Sequence, residues 1–225
     1  MKRRFVKHFA IFLALAILGQ NLFAQMMDAR VRKVSASVQE GIFVEPEKYI
    51  QELVKELSGG SSEKRAQLKI FHDWICDNIA YDTDIFYKGR TVPDQTYQNV
   101  LLRKKAICYG YSNLLKKMCD LAGIECEVVS GWSKGAGYPG HVRMRKADHA
   151  WNKVKIGSSW QFVDVTWDAG VVDWRTYYRK YSTDYFLLES SKFIFQHLPL
   201  EEEDQLLPKE QRRDVPRFEK EPYVP

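Results

Sequence analysis

The feature that most constrains this chain is the stretch HAWNKVKIGSSWQFVDV, residues 149–165. Two runs rich in β-branched and aromatic residues flank Gly157-Ser158-Ser159, the pattern of a β-hairpin. The turn length fixes which side chains share a face. If Gly157 and Ser158 alone form the turn, Ile156 pairs with Ser159 and every paired couple sums to 315. Thr166 then lies opposite His149, and Asp164 is the diagonal neighbour of His149 on the same face, within reach of its side chain. A three-residue turn would move the register by one and send the two to opposite faces.

An imidazole beside a carboxylate invites a search for a nucleophile. Residues 105–123 read KAICYGYSNLLKKMCDLAG. Tyr111, Leu114, Leu115, Met118, Leu121 and Ala122 recur at helical spacing, with Lys116, Lys117 and Asp120 on the other side and Gly123 at the expected C-cap. Cys108 stands at the front of this helix. There it meets unpaired backbone N–H groups and the positive end of the helix dipole, which favour attack by sulfur and can hold an oxyanion. Gly110 removes side-chain bulk where a substrate or a second element must come close.

A lone cysteine is more often a small buried hydrophobe than a nucleophile. Cys108 gains weight because His149 can take and return its proton and Asp164 can fix the tautomer of His149. Other assignments stay open at this point. Asp168 can orient the base instead, and His141 also follows the glycine-containing stretch 133–140, a candidate flap. His72 reads as a partly exposed helix residue. Trp151, Trp160 and Trp167 read as packing residues, any of which can wall a cleft. For the oxyanion, the backbone N–H of Cys108 is paired with a side chain from the preceding loop, Gln98 or Gln95.

Around these elements, a helix is expected from Pro46, with Ile50, Leu53, Val54 and Leu57 on one face, and another over 63–79. A polar loop spans 81–96, a short helix 97–103, and a strand 125–132. Another strand is expected near Tyr185, Phe186 and Leu187, and a short helix over 193–198. Residues 208–225, carrying four prolines among charges, read as an extended tail with almost no core.

Charge narrows the function classes. The chain holds 34 Lys plus Arg and 29 Asp plus Glu, a formal +5. Lys2, Arg3, Arg4 and Lys7 precede the apolar run 9–18 and Leu22-Phe23-Ala24, the layout of a secretory signal cut after Ala24. Without those four, 30 positives face 29 negatives, so bulk charge makes no case for nucleic acid. The expectation is a secreted or periplasmic protein with no stable membrane insertion after cleavage. The remaining division is a helical lead-in over 25–61 and a domain over 62–207. Four cysteines do not make a disulfide scaffold; Cys119 and Cys126 are the nearest pair if one forms. The His and Cys spacings match no zinc pattern and the carboxylates no calcium loop, so neither metal nor cofactor is expected.

Cys-x-Gly-Tyr ahead of a helix ending in Gly-Ile, a strand ending in Gly-Trp, then HAWNKV and WQFVDVTWD together resemble the transglutaminase-like superfamily. The resemblance covers about 62–169, and YFLLESSKFIFQHLP is similar to the segment that follows the core in the kyphoscoliosis-peptidase-like branch. It implies an α+β, papain-like fold, a nucleophile helix packed on an antiparallel β-sheet, with Cys108 as nucleophile, His149 as base and Asp164 as the orienting group. The expected activity is amide chemistry through a thioester, with hydrolysis favoured over amine transfer. The substrate would be a protein or peptide, cell-wall peptides included. A binding or scaffolding module on the same fold is the competing class.

Overall fold

The computed structural model describes residues 45–88, 93–135, 138 and 146–221. The expected signal, the segment before residue 45 and His141 lie outside the described residues. Among those described, no helix is long and apolar enough to cross a membrane.

Helix α1 (Pro46–Ser58) buries Tyr49, Ile50, Leu53, Val54 and Leu57. Proline at its first turn and the left-handed Gly59 at its end set its limits. Helix α2 (Lys64–Asn78) starts at Glu63, whose carboxylate accepts from the N–H groups of Arg65 and Ala66. Its buried face carries Leu68, Phe71, Trp74 and Ile75, and also His72. Helix α1 packs on α2, and on two later helices, α4 (Tyr97–Arg103) and α5 (Cys108–Leu121). The expected boundary at residue 62 therefore does not divide the structure, because the apolar face of α1 belongs to the same core. Residues 81–96 are not one loop either. Tyr81 closes strand β1 (Ala80–Tyr81), which pairs in parallel with β2 (Lys105–Ala106), and α3 (Thr83–Lys88) comes next.

The sheet has five antiparallel strands. Strands β3 (Cys126–Ser133), β4 (His149–Ile156), β5 (Ser159–Val163), β8 (Phe186–Leu188) and β9 (His197–Pro199) lie in the order β8-β5-β4-β3-β9. Helix α5 packs against β3 and β4, its hydrophobic face formed by Tyr111, Leu114, Leu115 and Met118. A polar pin fixes this contact: buried Asn152 on β4 donates to the carbonyl of Ser112 on α5 at 3.1 Å. Gly123 at φ +67° ends the helix where the sequence predicts. Trp151, Phe162, Phe193 and Val129 form the core of the sheet's other part, with the Phe162 and Phe193 rings stacked 4.5 Å apart. All four cysteines are buried free thiols, Cys119 and Cys126 included.

The hairpin has the two-residue turn. Ile156 pairs with Ser159 and Asn152 with Val163. Strand β5 stops at Val163, however, and residues 165–169 turn into the short helix α6 (Val165–Ala169). Asp164 causes this: its carboxylate caps the helix by accepting from the N–H of Thr166 and Trp167 at 3.0 and 3.1 Å. Thr166 is thus on a helix rather than opposite His149. An unforeseen hairpin comes after it, β6 (Gly170–Asp173) and β7 (Thr176–Arg179).

Two C-terminal expectations are corrected. The helix expected over 193–198 is α7 (Ser190–Phe193), and residues 197–199 form strand β9, paired with β3. A Cβ on Gly131 would meet the carbonyl oxygen of Leu198 at 2.1 Å, so the glycine is what admits β9. The tail is not extended. Asp214 caps α8 (Val215–Lys220), whose Phe218 is fully buried with Ile194, Leu198 and Leu207. Lys134, also buried, sits 4.2 Å over the Phe218 ring and donates to the carbonyl of Glu221 at 2.8 Å. One aromatic among prolines and charges is enough to dock the segment because its pocket is supplied by distant strands.

Candidate functional site

Cys108 is the first residue of α5, with Ile107 as N-cap. The first hydrogen bonds of this helix run from the N–H groups of Gly110 and Tyr111 to the Ile107 carbonyl. The Cys108 N–H therefore lies ahead of the ladder, where an oxyanion would find it. Gln95 braces the helix front. Its side-chain oxygen accepts from Ile107 N–H at 3.0 Å, and its amide donates to the Pro93 carbonyl at 2.9 Å. The amide oxygen of Gln95 and one of its two N–H donors thus hold the helix front. Gly110 admits it: a Cβ there would come within 2.7 Å of the Gln95 oxygen. Gln98 is half-buried on α4.

His149 opens β4 and is 6% exposed; Cys108 is 5% exposed. His149 Nε2 hydrogen-bonds Asp164 Oδ2 at 2.6 Å. Burial pushes the His149 imidazole down, but the Asp164 charge, their hydrogen bond and a hydrogen bond with Cys108 together raise it to about 10. Burial works against the Asp164 carboxylate, and His149 and then His197 outweigh it, holding the group well below the usual range. The hairpin parity and the helix front thus bring Cys108, His149 and Asp164 together. Asp164 arrives as the cap of α6 rather than as a strand residue.

Sequence reading missed His197. Its Nε2 meets the same Asp164 Oδ2 at 3.0 Å, and the ring is fully buried. Burial, against the pull of Asp164 and with the repulsion of His149, brings it down to about 4. The only sequence signal was its place in FIFQHLP, within the family-like segment. The ligand atoms of His149, Asp164 and His197 lie within 4.8 Å of one another, a spacing that would suit a metal ion. They are joined by direct hydrogen bonds, and an ion would have to break both.

Asp168 does not orient His149. It sits at the other end of α6, where its Oδ2 binds His72 Nε2 at 3.0 Å, both groups fully buried. His72 is therefore a core residue, contrary to its expected partial exposure.

A cleft of about 500 Å³ reaches His149. Trp167, Tyr81, Tyr177 and Tyr185 line it, with Asp148, Asp184 and Thr166. Trp167 is the tryptophan that walls the cleft, whereas Trp151 is core.

A helix-front thiol, an imidazole and a carboxylate on an α+β frame define a papain-like thiol site. A family model described as the transglutaminase-like superfamily matches residues 51–165, and the chain belongs to that superfamily. Its members are usually Cys-His-Asp enzymes. Among curated relatives, kyphoscoliosis peptidase of Mus musculus is 36% identical over 162 residues, 70% of this chain and 24% of that protein. Hillarin of Drosophila melanogaster is 31% identical over 186 residues, 72% of this chain and 21% of its own. The chain spans about a quarter of the length of these relatives. A solved structure of a TGase is 24% identical with a TM-score of 0.41, covering 68% of this chain and 41% of its own.

Proposed function

We propose that this chain is an exported thiol enzyme that cleaves amide bonds through an acyl-enzyme on Cys108. The observation that carries the reading is the 2.6 Å bond between His149 and Asp164 on a base that also contacts the helix-front thiol. The sulfur, its proton on His149 Nδ1, attacks the amide carbonyl. The oxyanion forms near the Cys108 N–H. Its collapse breaks the C–N bond, and the His149 proton leaves with the amine. Water, deprotonated by His149, then attacks the thioester, releases the acid and returns the proton to sulfur.

Hydrolysis is favoured over amine transfer because water is always present, whereas transfer needs a site that excludes it and seats an amine. The aromatic cleft suits a protein or peptide chain, cell-wall peptide among the candidates, and the N-terminal signal pattern would carry the enzyme out of the cytoplasm. The name of the kyphoscoliosis peptidases agrees with a peptide substrate. The test is iodoacetamide labelling at pH 6, read by peptide mass. Cys108 should label ahead of Cys76, Cys119 and Cys126, and His149→Ala should abolish the preference. Equal labelling with and without His149 would leave a binding module on the same fold as the better reading.

A further inference from the structure

Four hydrogen bonds converge on the Asp164 carboxylate, and only one comes from His149. Oδ1 accepts from the backbone N–H of Thr166 and Trp167, and Oδ2 accepts from the rings of His149 and His197. The His197 ring is caged by aromatic groups. Phe193 stacks on it at 4.0 Å between centroids, Trp167 lies at 4.2 Å and Trp151 at 5.0 Å. Its second nitrogen, Nδ1, is buried and has no hydrogen-bond partner among the described residues.

A phenylalanine would fill such a cage without orphaning a nitrogen. The site instead holds a residue that buries an unpaired polar atom, ordinarily an unfavourable arrangement, and whose ring is bonded to the partner of the base. We propose that His197 is a positioning residue of the Cys108–His149–Asp164 site, a fixed donor that holds Asp164 Oδ2 in the plane and place His149 requires. This rests on the thiol-enzyme reading.

The fold supplies the rigidity the role needs. His197 lies on β9 and pairs with Ser133 of β3, in the contact that Gly131 permits. Because a carboxylate oxygen only accepts, His197 must be the Nε2–H tautomer, with its lone pair on Nδ1. Burial, only partly countered by Asp164, keeps that ring neutral above about pH 4, so it donates without adding charge. A second donor on Oδ2 makes Asp164 a weaker base. The Nε2 proton of His149 then stays on the imidazole, and the Nδ1 proton remains the one passed to the leaving amine.

The experiment uses ¹⁵N-histidine-labelled protein and the variants His197→Phe and His197→Gln. The glutamine amide places an N–H where the imidazole Nε2–H stood. In the unmodified protein the His197 ring should read as the neutral Nε2–H tautomer; an Nδ1–H tautomer overturns the proposal without any variant having to fold. In His197→Phe the His149 Nε2–H resonance should move downfield, and Cys108 labelling at pH 6 should slow about tenfold, the scale of one lost hydrogen bond to a charged group. His197→Gln should return both most of the way. A folded His197→Phe with neither change, or a His197→Gln no better than it, makes the residue structural only. The ring signals are also read in Cys108→Ala. If Cys108 of the unmodified protein shows no selective labelling, the enzyme reading falls while those signals still decide the role of His197.

Discussion

The two ends of helix α6 hold two clusters with the same ingredients. At its N-terminal end are Cys108, His149 and Asp164. At its C-terminal end are Cys76, His72 and Asp168, with Cys76 Sγ 3.8 Å from His72 Nε2 and that nitrogen 3.0 Å from Asp168. A search for cysteine, histidine and aspartate in contact would find both. Their surroundings differ. His149 borders the cleft, and its cysteine heads a helix. His72 is sealed, clamped between Asp168 and Asp73, and Cys76 sits in the last turn of its helix with burial pushing its thiol up, a push that His72 only partly offsets. Nitrogen Nε2 of His72 serves both Cys76 and Asp168, and its Nδ1 is taken by Asp73. Composition makes the pair; access to the cleft and the place of the cysteine on its helix set the two apart.

The largest effect that would break this contrast is on reactivity. Removing the base with His149→Ala should slow labelling or turnover at Cys108 by about 10²- to 10⁴-fold. His72→Phe should leave the labelling rate of folded protein within a few-fold of the original. Were the two variants to lose reactivity equally, the clusters would not be distinct in function. Next comes stability, where the order should reverse. His72→Phe takes the imidazole from the buried carboxylate of Asp168, leaving it the Ser182 hydroxyl and the Tyr185 N–H, and should cost about 3–5 kcal/mol in a urea melt. His149→Ala leaves Asp164 its two backbone donors and His197, and should cost less.

Aspartate replacements sharpen the contrast further. Asp164→Asn should lower Cys108 reactivity yet less than His149→Ala does, because it disturbs only the hold on the base. Asp168→Asn should act on the melting temperature alone.

The smallest effect is in pH. His197, brought down to about 4 from 6.5, favours the folded state fully above 6.5 and loses that contribution as pH falls toward 4. His149, raised to about 10, contributes fully below 6.5 and loses its share as pH climbs to 10. His72 is also raised well above 6.5, its two carboxylates outweighing burial, and acts in the same direction as His149. Melting temperature should therefore peak near pH 6.5. His197→Phe should flatten the acid limb, and His149→Ala should leave part of the alkaline limb standing, the part owed to His72.

Much of this arrangement is legible because it is local. The Gly-Ser turn fixes the register of β4 and β5 without outside help. The Cys108 helix announces itself by its periodicity and its terminal glycine. Residues 164–168 mislead because Val165, Thr166 and Trp167 have strand propensity, and the capping carboxylate of Asp164 overrides it. His197 and its partner stand 33 residues apart and meet only through the pairing of β9 with β3. His72 is hidden for a similar reason: its neighbours on α2 say nothing of Asp168, 96 residues on. Phe218 looks solitary until Lys134 and Leu198 surround it.

The two-residue turn also restricts descent. Each residue gained or lost in one arm of that hairpin rotates the rest of the arm to the other face, so a single insertion between His149 and Asp164 parts the base from its carboxylate. A lineage that keeps the chemistry can lengthen or shorten this segment only by even steps. Among chains that keep this hairpin, the difference in residue number between the strand histidine and the capping aspartate, 15 here, should remain odd.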